Sequence, residues 1–161
     1  MTERELKQKA IKEIARYNKD IISKRQLRDE IMERYKGALA GQPIGHGSGD
    51  NRTGDPERRA LQIEELEKFS PIATRLKRVS SAFADLFTIL DKRKWQEYEL
   101  FNLMDGIIDH CDNRAINNFA YISRKYKLIC CSRSFTTYKS FIVDKVSESI
   151  LEQENDQTFA V

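Results

Sequence analysis

Residues 114–150 read RAINNFAYISRKYKLICCSRSFTTYKSFIVDKVSESI and predict two helices separated by a tight turn around Cys130, Cys131 and Ser132. At about 100° per residue, the large apolar side chains of the second helix share one face. They are Phe135, Tyr138, Ile142, Val143, Val146 and Ile150. The opposite face carries Arg133, Thr136, Thr137, Ser140 and Asp144. A short helix, a tight turn and a helix with small polar groups outside favour a helix-turn-helix that enters the major groove of DNA.

Basic residues are concentrated in this same part of the chain. Residues 114–145 contain seven basic residues and a single acid, Asp144, whereas the whole chain has a net charge of only +3. Cations interleaved with hydroxyl groups fit contacts with the phosphates of nucleic acid. The alternative is a basic, solvated helical hairpin without a ligand, because periodicity alone does not establish a helix-turn-helix.

The candidate DNA-binding residues divide by their chemistry. Arg133, near the start of the second helix, suits a bidentate contact with guanine. We expect three hydroxyl residues to touch base edges, thymine methyl groups or nearby phosphates: Thr136, Thr137 and Ser140. We expect the other cations to hold the phosphate backbone: Arg124, Lys125, Lys127 and Lys139. Ser132 stands at the start of the helix, and Tyr138 is assigned to packing.

The composition favours a helical protein of one domain. The 161 residues are 40% hydrophobic and 33% charged, and only three prolines and seven glycines argue against a β-sandwich. No apolar stretch approaches the roughly 18 residues of a membrane span, and no signal peptide is recognisable. We therefore expect a cytoplasmic protein without membrane contact.

The residues that usually carry chemistry form no recognised pattern. The three cysteines, Cys111, Cys130 and Cys131, and the two histidines match no zinc spacing, so we expect reduced thiols, no metal and no cofactor. The spacing of a catalytic triad, a metal site or a nucleotide loop is also missing, and we therefore expect a protein that is not an enzyme.

Glycines and helix-start signals divide the chain into five predicted segments. Residues 1–36 form one long helix, and residues 37–54, with six of the seven glycines, form a flexible loop. Residues 55–113 form a helical core or oligomerisation segment. Residues 114–152 form the helix-turn-helix, and residues 153–161 form an acidic tail that frays.

Three signals organise the segment 55–113. Asp-Pro at 55–56 and Ser-Pro at 70–71 each place a capping residue before a first-turn proline, so a helix is predicted to start at both. Asp91 is predicted to cap a further helix, which ends at a polar break over residues 109–113.

A regular apolar seam follows the Ser-Pro signal, with steps of three and four residues from Phe69 to Leu90. Two interpretations have equal weight: the core face of a helical bundle, and a coiled coil between two copies of the chain. The residues of the candidate oligomerisation surface are Ile72, Leu76, Val79, Phe83, Leu86 and Leu90.

Two segments resemble late transcription regulators of phages of the RinA/ArpU type, whose C-terminal part is similar to region 4 of sigma factors. Residues 45–61, GHGSGDNRTGDPERRAL, are similar to the glycine-rich loop of that family and the helix start after it. Residues 131–146, CSRSFTTYKSFIVDKV, resemble its recognition helix, with Phe135, Tyr138, Lys139, Ile142 and Val143 in register. Cys131 occupies the position of a common capping serine, which leaves Ser132 as the alternative cap.

We therefore expect a sequence-specific regulator of transcription, from a phage or prophage, that binds double-stranded DNA. The resemblance implies activation of late genes through contact with RNA polymerase. Because natural operators pair their half-sites, we also expect a homo-oligomer. Two alternatives stay open: a small terminase-like subunit of a DNA-packaging machine, and a helical adaptor that binds only protein.

Overall fold

The computed structural model describes residues 1–40 and 49–159, with side chains over 1–34 and 56–157. This part of the chain forms seven α-helices and no strand, which confirms the all-α class. The helices are α1 (Glu3–Ala15), α2 (Tyr17–Ala40), α3 (Gly49–Lys68), α4 (Pro71–Ile89), α5 (Glu97–Asp112), α6 (Phe119–Tyr126) and α7 (Ser132–Phe159). Over these described ranges, no helix has the length and apolar character needed to cross a membrane.

The chain separates into two compact units. Unit 1 contains Met1–Asn18 and Lys77–Val161, and unit 2 contains Lys19–Leu76. Helices α1, α5, α6 and α7 belong to unit 1, and α3 belongs to unit 2. The residues predicted to bind DNA therefore all lie in unit 1.

Unit 1 is organised by α1, which packs against α5 and α7, while α6 packs against α5. The side chains at these contacts are fully buried, among them Ile14, Leu103, Ile107, Ile142 and Val146. Burying one aliphatic side chain of this size contributes about 1.5–3 kcal/mol. The apolar stripe predicted on α7 is therefore the face that holds this helix in the core.

The N-terminal segment 1–36, predicted as one helix, forms two. Thr2 caps α1, because its Oγ1 accepts from the N–H of Glu5 at 3.2 Å and its own N–H donates to the Glu5 carboxylate at 2.9 Å. Helix α1 ends at Ala15, and its C-cap Arg16, with ψ −2°, separates it from α2, which begins at Tyr17. Neither glycine nor proline marks this break, so no local signal predicted it.

The glycine-rich segment 37–54 differs from its prediction as a loop. Residues 41–48 lie outside the described residues, but 37–40 belong to α2 and 49–54 to α3. The predicted helix start at residues 55–56 is also wrong, because Pro56 lies inside α3. The fixed φ of proline suits a helix, so α3 continues through it with the loss of one backbone hydrogen bond.

Helix α4 begins where the Ser-Pro signal predicted. Pro71 is its first residue, and the Oγ of Ser70 accepts from the N–H of Ala73 at 3.1 Å. Asp91, by contrast, closes a turn through an Oδ1 bond from the N–H of Arg93 at 2.9 Å, and α5 begins later, at Glu97.

The apolar seam of α4 corrects the predicted oligomerisation surface. In unit 1, Val79, Phe83, Leu86 and Leu90 are 1, 1, 0 and 8% exposed, because they form part of the core. Side chains that the chain itself covers are not available to a second copy, so the coiled-coil interpretation is wrong at these four positions. The other two, Ile72 and Leu76, are half-buried.

Two further predicted helix ends, at the start of the polar break over residues 109–113 and at residue 152, lie inside helices. Helix α5 continues through most of the predicted polar break, to Asp112, and α7 continues beyond residue 152 to Phe159. The segment predicted to fray is thus helical over residues 153–159. Both extensions follow from polar residues that tolerate a helix as well as a loop.

Candidate nucleic-acid interface

Helix α6 is short because both of its ends are defined by specific groups. Asn118 caps its start, with Oδ1 accepting from the N–H of Tyr121 at 3.0 Å. At its end, Lys127 adopts the left-handed conformation with φ 53°, and the N–H groups of Lys127 and Leu128 both donate to the carbonyl of Ser123. This closure turns the chain sharply towards α7.

Helix α7 is capped by Cys131. The carbonyl of Cys131 accepts the first helical bond, from the N–H of Phe135 at 3.0 Å, and its Sγ lies 3.4 Å from the Oγ of Ser134. Hydrogen bonds from the Ser134 side chain and then from backbone N–H groups lower the pKa of the exposed Cys131 thiol. Cys131, rather than Ser132, therefore takes the place of the usual capping serine.

Phe135 determines which face of α7 is exposed. Its ring is 2% exposed and packs against His110 of α5 and Phe119 of α6, with ring centroids 5.4 Å apart in both pairs. The opposite side of α7 faces outward, with Arg133, Thr136, Thr137 and Ser140 all exposed. These four side chains share one accessible face over the first three turns.

The threonines of this face already use their hydroxyl protons. Thr136 donates to the carbonyl of Ser132 at 3.0 Å, and Thr137 donates to the carbonyl of Arg133 at 3.1 Å. In this arrangement a hydroxyl still accepts a hydrogen bond but does not donate one to a phosphate. The threonines therefore offer their methyl groups and one acceptor each, which suits base edges better than phosphates.

The cations at the end of α6 differ in how freely they can act. Arg124, Lys127 and Lys125 are all exposed, but the Lys125 ammonium lies 3.1 Å from Oδ2 of Asp109. That hydrogen bond raises the pKa of Lys125. The ammonium also lies 5.3–5.6 Å from the ring centroids of Tyr126 and Tyr121. Its charge is therefore partly balanced inside the protein.

Asp109 joins α5 to α6 and was missed at the sequence level. Besides Lys125, its carboxylate accepts from the Tyr126 hydroxyl at 2.8 Å and from the side-chain amide of Asn117 at 2.8 Å. These partners lie 8–17 residues away, beyond any helical spacing. The sequence predicted only a polar break at this point, because no local pattern links such distant groups.

Lys139 does not lie on the exposed face of α7, which corrects the expectation that it contacts phosphate from that face beside the exposed cations. It is only 9% exposed, and its Nζ lies 2.7 Å from Nδ1 of His110. The physical reason is visible in the sequence, since Lys139 follows Phe135 by four residues and so shares the buried face of the helix. The positive charge of Lys139 was the only reason to expect it at the surface.

Lys139 and His110 line a cavity of about 500 Å³, here called the His110 cavity. Its other polar walls come from Lys7, Arg114, Thr136, Ser140 and Asp144. Burial first, and then the charges of Lys139 and Arg114, lower the pKa of His110 to about 4. His110 is therefore neutral at physiological pH.

The exposed residues define one candidate interface, here called the α6–α7 surface: Arg124, Lys125, Lys127, Ser132, Arg133, Thr136, Thr137 and Ser140. Tyr121, 41% exposed, stands beside its cations and offers an aromatic face. Across the described residues, no three His, Cys, Asp or Glu side chains are grouped as metal ligands. No family model, curated protein or solved structure matches this chain.

Proposed function

We propose that this protein binds double-stranded DNA through the α6–α7 surface and regulates transcription without catalysing a reaction. One observation carries the proposal: the first turns of α7 expose Arg133, Thr136, Thr137 and Ser140, while Phe135 fixes the other side in the core. Small side chains on a firmly packed helix let its backbone approach base edges in the major groove.

Arg133 is the proposed base reader. Its planar guanidinium, in the first turn of α7, can donate two parallel hydrogen bonds to O6 and N7 of guanine. The methyl groups of Thr136 and Thr137 are proposed to contact thymine, because their hydroxyl protons are held by the helix backbone. Ser140, one turn further along, extends the same face.

The phosphate contacts are proposed to be unequal. Arg124 and Lys127 lie at the end of α6, where the chain turns towards α7, and both are exposed. Lys125 contributes less, since Asp109 already balances part of its charge. Phosphate contacts of this kind orient a protein on the duplex and supply most of its salt dependence.

Control of late phage genes, contact with RNA polymerase and assembly into a homo-oligomer belong to the proposal through the resemblance of residues 45–61 and 131–146 to phage regulators. The four buried seam residues from Val79 to Leu90 are left out of that assembly, because the chain itself covers them. A copy number of two on a duplex with paired half-sites is the expected arrangement.

Binding of a mixed-sequence, fluorescently labelled duplex, followed by anisotropy over a range of salt concentrations, tests the proposal. Two to three phosphate contacts in each bound copy predict a slope of log K against log[salt] of roughly −2 to −3. Lys77→Ala serves as the matched control, because Lys77 is an exposed cation on α4 outside the α6–α7 surface. Absence of duplex binding at low salt would favour the protein-binding adaptor. A ring-shaped oligomer in light scattering would favour the packaging subunit.

A further inference from the structure

The His110 cavity collects positive charge from three parts of unit 1. Lys7 comes from α1, Arg114 from the connection after α5, and Lys139 from α7. A single carboxylate, that of Asp144, lines the same space. With His110 neutral, the walls carry an excess of two positive charges.

Lys139 is the unusual member of this cluster. Within the described part of the chain, no carboxylate lies within ion-pair distance of its ammonium, and its hydrogen-bond partner is the His110 imidazole. An ammonium has only donors, so Nδ1 of the neutral ring accepts and does not balance the charge. Burying a cation without a counterion is costly, and this burial lowers the pKa of Lys139. An anion in the cavity would offset that cost.

The other two cations are available to the same anion. Arg114 is exposed and joined to no carboxylate among the described residues. Lys7 forms a pair with Glu3 at 3.2 Å, but this is an exposed contact one helical turn apart, and such pairs are worth only about 0.5 kcal/mol. Little free energy is therefore lost when Lys7 turns into the cavity.

We propose that the His110 cavity binds a phosphate-class anion, held by Lys139, Arg114 and Lys7, with the Ser140 hydroxyl as an additional donor. An excess of two positive charges matches a phosphate dianion better than a singly charged carboxylate. The volume of about 500 Å³ falls in the usual range for small-molecule pockets and leaves room for the group that carries the phosphate.

The phosphate has two possible sources, a free phosphorylated small molecule and the backbone of DNA. Ser140 lines the cavity and also belongs to the α6–α7 surface, so the cavity adjoins the proposed DNA interface. For the DNA source, the inference rests on the proposed function. For the small-molecule source, it stands independently.

The histidine signals of the protein give a direct test, since the full chain contains only two histidines. Their ring resonances are recorded by NMR during titrations with inorganic phosphate, with sodium chloride at equal ionic strength as the control, and with a short duplex. The variant His46→Gln assigns the two signals. We expect a saturable shift of the His110 signal and a rise of its pKa from about 4 towards its usual range, because the anion counteracts the charges of Lys139 and Arg114. The His46 signal should not follow.

Two variants establish which cations hold the anion. Arg114→Gln changes an exposed residue and should fold, and it should weaken phosphate binding by about tenfold or more. Lys139→Met replaces a buried cation by an apolar side chain of similar length and should abolish the His110 response. Its folding is checked by circular dichroism.

Each outcome decides the inference. A saturable His110 shift with phosphate, or with the duplex alone, supports it and identifies the source. Overturning results are a shift that does not saturate, a shift equal to that in sodium chloride, or binding unchanged in Arg114→Gln. If the protein binds the duplex but the His110 signal shifts with neither the duplex nor phosphate, this inference is wrong and the proposed function stands. Phosphate binding without any duplex binding defeats only the proposed function.

Discussion

The ammonium of Lys139 lies 2.7 Å from Nδ1 of His110 and thereby joins α7 to α5 inside unit 1. The pair contains one charge, because burial and the neighbouring cations lower the pKa of His110 to about 4. The arrangement makes both the packing of α7 and the charge of the adjoining cavity depend on a neutral histidine.

We expect His110 to make folding sensitive to acid between about pH 6.5 and pH 4. An unfolded histidine takes up a proton near pH 6.5, whereas folded His110 does so only near 4. Within this window the unfolded chain binds more protons, so the free energy of unfolding decreases as the pH falls. The free energy of unfolding, measured with urea at several pH values, should decrease less for His110→Gln than for the native protein. The glutamine amide can still accept a hydrogen bond from Lys139. An equal decrease in both proteins would contradict this origin.

Removing one partner of the buried ion pair between Glu13 and Arg78 is expected to destabilise unit 1 strongly. The guanidinium donates to both carboxylate oxygens, at 2.9 and 3.1 Å, and the two side chains are only 7% and 12% exposed. Glu13→Met should cost about 3–5 kcal/mol, because it leaves Arg78 buried without its carboxylate. Adding Arg78→Met should recover a large part of that loss.

Chemical denaturation of the two single variants and the double variant measures this coupling. Glu3→Ala is the matched control, since it removes an exposed ion pair with Lys7 and should cost less than about 1 kcal/mol. A double variant that is no more stable than Glu13→Met alone would rule out the buried charge as the cause.

Gly106 permits the close approach of α5 to α6. A Cβ at this position would lie 3.0 Å from Cγ2 of Ile122, which is fully buried. Gly106→Ala should therefore destabilise the protein by about 1 kcal/mol, since the overpacking outweighs the higher helix propensity of alanine. Ile122→Leu removes the β-branch methyl group Cγ2 at nearly constant volume and should relieve part of that cost. Thermal unfolding of the two single variants and the double variant gives the loss of stability in each. Losses that simply add in the double variant would show that the contact between these two positions is not the cause.

Lys127 combines a positive charge with a left-handed backbone conformation. The substitution Lys127→Gly removes the charge and the backbone strain together, but the two losses affect different measurements: the strain affects folding stability, and the charge affects DNA binding. Glycine adopts φ 53° without the cost that a lysine incurs there, about 1 kcal/mol or more. The variant should be at least as stable as the native chain, while the salt slope of duplex binding decreases by about one unit. Lys125→Ala should change the slope less, because Asp109 already pairs with that ammonium. Equal slopes for Lys127→Gly and the native chain would exclude Lys127 from the interface.

Helical periodicity predicted which faces are buried but not what covers them. The seam containing Val79, Phe83 and Leu86 was recognised from its spacing as one face of a helix that packs against another surface. A bundle core and a dimer interface impose the same spacing, so the spacing alone did not tell which surface covers it. Only the packing of unit 1 distinguishes them. Lys139 shows the opposite case, because its position after Phe135 placed it inward while its charge suggested solvent.

Contacts between distant parts of the chain were beyond prediction. Asp109 meets Lys125 and Tyr126, and Glu13 meets Arg78, across 16 to 65 residues. Such pairs depend on how helices pack, which a single sequence without repeated spacing does not encode locally. Helix caps, by contrast, depend on neighbouring residues, and Ser70 was identified correctly for that reason.

The central claim is that the exposed face of α7 reads DNA, and Arg133 tests it most directly. Sequences are selected from a pool of random duplexes with the native protein, and the affinity of Arg133→Ala is then measured on the selected sequence, with Lys77→Ala as the control. The account predicts an enriched motif containing guanine and a loss of about 1–3 kcal/mol for Arg133→Ala, with relaxed preference at that position. An affinity for the selected sequence that Arg133→Ala leaves unchanged, or a selection that enriches no sequence, would contradict it.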